Sequence, residues 1–148
     1  MQTFLPYPNL TASAACLDNK RLGKQRVENL QILKAHTLPT YGWKNHPAVK
    51  MWTGHLFILL AYQREICAEW VKRGYKDTCL EKSQDVLQIA YAEMPTVLDF
   101  PPWFGNKDFH RAHRSNLVRK DPAYYGPIFP GVPDDLPYIW PKLGEQSS

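Results

Sequence analysis

No apolar run in this chain reaches the eighteen or so residues that a membrane-spanning helix needs, so the sequence is not that of a membrane protein. Its three cysteines, Cys16, Cys67 and Cys79, are odd in number and form no CxxC pair, which argues against a disulfide framework and against a cysteine zinc site. The opening MQTFLPYPNL has neither a basic leader nor a following apolar stretch, so nothing marks export and the expected setting is a reducing cytoplasm. Internal repeats and low-complexity tracts are also missing. Acidic residues are scarce in one region in particular: from Asp18 to Lys50, seven lysines and arginines face only Asp18 and Glu28. The whole chain carries +4, so this third of it holds the positive excess. Such a patch attracts polyanions, nucleic acid foremost, although a solvated helix surface explains the charge alone equally well.

What remains is a globular composition, 44% apolar and 13% aromatic over 148 residues, enough for one core and one domain spanning 1–148. Prolines and glycines cut it into helical blocks. Residues 12–36 carry Leu22, Val27, Leu30 and Leu33 near the 3.6 period, with Gly23 as a weak point where the helix can kink. Residues 47–74 read as one long, largely apolar central helix, with Pro47 at its first position, Gly74 past its end, and Trp52, Leu59 and Trp70 as core. Thr78 and Glu81 have capping-box spacing for a third helix ending before Pro95, and a fourth spans 106–120 ahead of Pro122. Six prolines between Pro122 and Pro141, interleaved with aromatics, predict that 122–148 is an irregular, non-helical segment wrapped over the bundle or over a ligand. The fold class expected is all-α.

In the first helix, Arg21, Lys24, Gln25 and Glu28 fall at i, i+3, i+4 and i+7 and share one face. One carboxylate ringed by cations and amides is either an ordinary exposed stripe with a Lys24–Glu28 pair, or a site where basic groups hold phosphates while the carboxylate opposes a developing positive charge. His110 and His113 have i, i+3 spacing, yet no carboxylate or cysteine pattern completes a metal site, and no metal or cofactor is expected.

The block LDNKRLGKQRVENLQIL, the helix TGHLFILLAYQREICAEWVKRGY with its Gly-His pair and closing Lys-Arg-Gly-aromatic, and the PAYYG near the C-terminus resemble, in order, the pyrimidine-dimer DNA glycosylase family, of which this looks like a divergent bacterial-type member. The resemblance implies an all-helical protein that excises damaged or modified pyrimidines from double-stranded DNA without a cofactor or obligate protein partner. It implies two catalytic groups, Glu28 and the α-amine, which attacks C1′ and forms a Schiff base that permits AP-lyase strand cleavage. α-Amines suit this role because they titrate near about 7.7 to 8.0 and so keep a neutral fraction at neutral pH. Two positions depart from the family pattern. Gln2 is too large for removal of the initiator methionine, so the amine is that of Met1; and Val27 precedes Glu28 where the family has arginine, leaving Arg26 to compensate. The DNA-binding set implied is Arg21, Lys24, Gln25, Arg26, His55, Arg114, Lys120, Tyr124 and Tyr125, with Arg114 contacting phosphate and the two tyrosines stacking on bases or packing on the bundle. Two alternatives share the same basic face: a monofunctional glycosylase in which Glu28 activates water, and a nucleic-acid-binding module without chemistry. Action on nucleoid DNA in the cytoplasm follows from either enzyme reading.

Overall fold

A computed structural model describes residues 1–91 and 99–141. Among the described residues the regular structure is entirely helical, as the sequence predicts: α1 (Leu10–Ala15), α2 (Asn19–Thr37), α3 (Pro47–Lys50), α4 (Leu56–Lys72), α5 (Cys79–Tyr91), α6 (Lys107–Lys120) and α7 (Pro122–Ile128). None of these helices is long and apolar enough to cross a membrane.

Residues 12–36 do not form one helix. The break falls at Cys16–Asp18 and not at Gly23, because Leu17 is fully buried and Asp18 is extended, its N–H donated to the Tyr125 hydroxyl at 2.9 Å while its carboxylate accepts that hydroxyl's proton. Gly23 serves a close approach instead: a Cβ there would lie 2.9 Å from the edge of the Trp70 indole. Residues 47–74 also divide. The indole N–H of Trp103 takes the Met51 carbonyl at 3.0 Å, removing it from the helical ladder, and Gly54 adopts φ +83° before α4 restarts. Gly74, at φ +100°, ends α4 where the sequence places its end.

The cap of α5 sits one residue before the expected one. The Asp77 carboxylate, not Thr78, accepts the N–H groups of Cys79 and Leu80 at 3.1 and 3.0 Å. The expected end of this helix before Pro95 lies outside the described residues. α6 begins on an Asn106 cap and ends with Arg119 and Lys120 in its last turn, where the helix dipole favours cations. The segment after it is not wholly irregular, contrary to the proline count: Pro122 occupies the first turn of α7, where no N–H is required, and Asp121 caps it by accepting from Tyr124 N–H at 3.1 Å. From Phe129 to Pro141 the described chain runs without a helix.

α4 is the centre of the bundle. α1, α2 and α5 pack around it, and Trp52, Leu59, Tyr62 and Ile66 are sealed from solvent. Trp70, expected in the core, is only half-buried and stacks on Tyr75 at 4.2 Å. The extended stretch after α7 is tied to α6, Ser115 Oγ accepting Leu136 N–H and Asn116 Nδ2 donating to Leu136 O, both at 3.0 Å. This tie carries Tyr138 over the N-terminal segment, its ring 6.3 Å from that of Phe4.

Candidate active site

Residues 2–6 are buried, extended and paired with no strand. Backbone N–H and C=O groups taken out of water must still find partners, and here side chains supply them. The Gln25 carboxamide accepts from Phe4 N–H at 2.9 Å and donates to Gln2 O at 2.8 Å. Tyr62 donates to Phe4 O. Two histidines hold both polar groups of Leu5: its N–H goes to His113 Nδ1 at 2.9 Å, and its carbonyl accepts from His110 Nδ1 at 2.7 Å. His110 Nε2 accepts Gly105 N–H at 2.9 Å, which fixes the ring as the Nδ1–H tautomer. Arg114 donates to Pro6 O at 2.7 Å, and the Trp52 indole donates to Thr3 Oγ1 at 3.1 Å. Helices α2, α4 and α6 thus clasp a strap of chain whose course is set by side chains alone.

The strap ends against Glu28. The Gln2 N–H donates to Glu28 Oε2 at 3.2 Å, so the α-amine, one residue earlier, is delivered to the same place. Met1, Gln2 and Glu28 line a cavity of about 300 Å³ with Phe4, Lys20, Arg21, Lys24, Gln25, Lys120 and Tyr138. Glu28 is only 8% exposed, with its second oxygen 3.7 Å from the exposed ammonium of Lys24. Arg21 is steadied at the rim by Asp18 at 3.1 Å and by the Tyr125 ring 6.0 Å away. Partial desolvation, followed by repulsion from Arg21 and Lys24, pushes the Lys120 ammonium below its ordinary value, against the pull of Glu28. These cations therefore converge on one cavity from two helices.

Arg21, Lys24, Gln25 and Glu28, which share a face by their i, i+3, i+4, i+7 spacing, line one cavity together with Met1 and Lys120. Gln25 plays a different part from the one expected. It is 1% exposed and spent on the strap and on Asn29 Oδ1, at 2.8 Å, so it cannot reach a DNA backbone. Arg26 points to the other side of α2, where it bonds Asp77 at 2.6 Å and lies 4.5 Å over the Trp70 ring; it does not replace the arginine missing at Val27. Arg114, bound to the Pro6 carbonyl, is a strap residue before it is a phosphate contact. His55 precedes α4 with Nδ1 3.0 Å from Asp99 O, away from the cavity lining. Tyr125 is fully buried beneath Arg21 and packs on the bundle, whereas Tyr124 is exposed.

Sequence reasoning did not single out four lining residues. Lys20 lies one helical turn before Lys24, so the spacing that found Glu28 also reaches it. Gln2, Phe4 and Tyr138 have no local signal, since they arrive through the strap and through the tie of the C-terminal stretch to α6. His46, the α3 cap that accepts Ala48 N–H at 3.0 Å, stands within electrostatic reach of the cavity: burial, then the α-amine, lower its basicity, and Glu28 raises it. Among the described residues no three potential metal ligands cluster, and both α6 histidines are engaged by Leu5.

Residues 1–83, more than half of the chain, match the family described as pyrimidine dimer DNA glycosylase. The matched stretch contains the strap, all of α1 to α4 and every lining residue of the cavity except Lys120 and Tyr138. No curated protein and no solved structure matches the chain.

Proposed function

The chain belongs to the pyrimidine dimer DNA glycosylase family, and on that premise we propose that it removes damaged or modified pyrimidines from double-stranded DNA with its α-amine as nucleophile and Glu28 as the facing carboxylate, then cleaves the strand as an AP lyase. The observation that carries the reading is the 3.2 Å bond from Gln2 N–H to Glu28 Oε2, backed by a strap whose backbone is tied to side chains along its length. A helical bundle has no structural need to bury an extended N-terminus under so many polar side chains, and the arrangement makes sense if the terminus must be placed.

In the reaction, the neutral amine forms a bond to C1′ while the C1′–N1 bond breaks and its electron pair leaves with the base. Glu28 accepts the proton shed by the new C1′-ammonium and returns it to O4′ as the sugar ring opens, leaving an iminium whose positive charge the carboxylate faces. Loss of a C2′ proton then expels the 3′ phosphate by β-elimination. Lys20, Arg21, Lys24 and Lys120 hold the strand by its phosphates, and an extruded nucleotide gains access to the cavity. The protein would do this as a single domain, on nucleoid DNA in the cytoplasm.

The test is borohydride trapping on duplexes carrying an abasic site or a cyclobutane pyrimidine dimer, with mass mapping of the adduct. The expected result is a covalent adduct at Met1 that Glu28→Gln abolishes, with base release slowed by about 10² to 10⁴-fold. Base release with no adduct would assign Glu28 to water activation, and tight salt-sensitive binding with no product would make the protein a binding module. Full activity in Glu28→Gln would remove this carboxylate from the chemistry.

A further inference from the structure

Beside the amine and Glu28 stands a third polar group, one end of which has no structural employment. Gln2 is 6% exposed, and its Oε1 accepts the N–H of Thr3 at 2.8 Å. That bond fixes which way the carboxamide faces, since the opposite orientation would set an NH₂ against an N–H. The free end is therefore the donor, Nε2, which is buried and has no hydrogen-bond partner. Four carbonyls of the strap are already occupied: Gln25 takes Gln2 O, Tyr62 takes Phe4 O, His110 takes Leu5 O and Arg114 takes Pro6 O. An unpaired buried donor in a folded protein calls for an explanation, and this one belongs to a residue that lines the cavity with Met1 and Glu28.

We propose that the Gln2 carboxamide donates to O2 of the pyrimidine being excised and stabilises it as a leaving group. The inference rests on the amine and Glu28 reading above. With C1′ at the α-amine, the base attached to it begins one bond away at N1, and O2 is the acceptor adjacent to that atom. As the C1′–N1 bond breaks, its electron pair spreads from N1 onto O2, so a donor that meets O2 binds the transition state more strongly than the intact nucleotide. All pyrimidines carry O2, so Gln2 acts on the class of base and not on the lesion. It also gives the large second residue a positive use: the side chain that keeps Met1 in place is the one that meets the base.

The consequence is a split between two substrates. An abasic site has lost its base and has no use for the donor, whereas a strap residue with a merely structural role matters equally to both. The variants are Gln2→Met, of similar length and without a charge, and Gln2→Glu, which keeps an acceptor for Thr3 N–H but replaces the donor with a charged carboxylate oxygen; both retain a large second residue, and intact mass verifies Met1. In single turnover on a thymine-dimer duplex, base release should slow by about 10²-fold in each variant, while for Gln2→Met borohydride trapping on a preformed abasic duplex stays within about twofold of the parent protein. Thermal unfolding of Gln2→Glu at the parent temperature verifies the strap. Unchanged base release overturns the proposal, as does an equal loss on both duplexes. Failure of the parent protein itself to release base or to trap overturns the underlying reading, and is seen before any variant is made.

Discussion

At the scale of single residues, the structure separates groups that line the cavity from groups that hold the N-terminal strap in place. His113 is the sharpest case of the second kind. Burial, then the neighbouring His110, pulls its basicity down to about 3, and burial lowers His110 as well. The unfolded rings protonate near pH 6.5, so below that the unfolded chain binds more protons and the fold loses stability as pH falls, by about 1.4 kcal/mol per pH unit for each such ring. Urea melts at pH 7.5 and pH 5.0 should therefore differ by about 2 kcal/mol from His113 alone, and His113→Gln should flatten the slope by one proton. Activity should decline with the strap, since protonated His113 can no longer accept Leu5 N–H. The cavity-lining face of α2 was legible because its residues lie within one helix, where 3.6-residue geometry leaves no freedom. The strap was not, because its partners stand as many as 108 residues away and no local pattern announces that a histidine will accept a distant N–H.

At the scale of elements, helix ends read to within a residue where the cap is local, as with Asp77 in place of Thr78 at α5, and poorly where it is tertiary. Asn106 and Pro122 frame α6 from the sequence itself, whereas the break before α2 depends on Tyr125, whose hydroxyl meets Asp18 from the far side of the chain. Gly23 is a related lesson, since its mid-helix position reads as a weak point but accommodates Trp70. Replacement by alanine ordinarily gains about 1 kcal/mol of helix propensity. Here the indole is held by Lys76 O at 3.0 Å, by Tyr75 and by Arg26, and has little room to retreat. Gly23→Ala should cost about 1 to 2 kcal/mol by chemical denaturation, and a gain in stability would show that the ring moves freely.

At the scale of the molecule, the positive charge is divided between the cavity side and a structural side. Lys24 and Lys120, on different helices, share the cavity rim, while Arg26 on the opposite face of α2 is tied to Asp77. Lys24→Ala and Lys120→Ala should each reduce the slope of log K against log salt for duplex DNA by about 1. Arg26→Ala should leave that slope unchanged and instead cost about 2 to 3 kcal/mol of stability, because it strands a largely buried Asp77 carboxylate. Equal slopes for all three would mean that DNA does not approach through the cavity.

The clasp on the N-terminal strap also sets a schedule. The first residues made by the ribosome receive their partners from α2 and α4, then from His110, His113 and Arg114, which are made roughly a hundred residues later. Until α6 emerges and docks, the amine has no fixed address beside Glu28. On the proposed mechanism, a nascent or prematurely ended chain would carry a terminus that cannot be aimed, and competence to form a covalent bond with DNA would be acquired only when the fold is nearly finished.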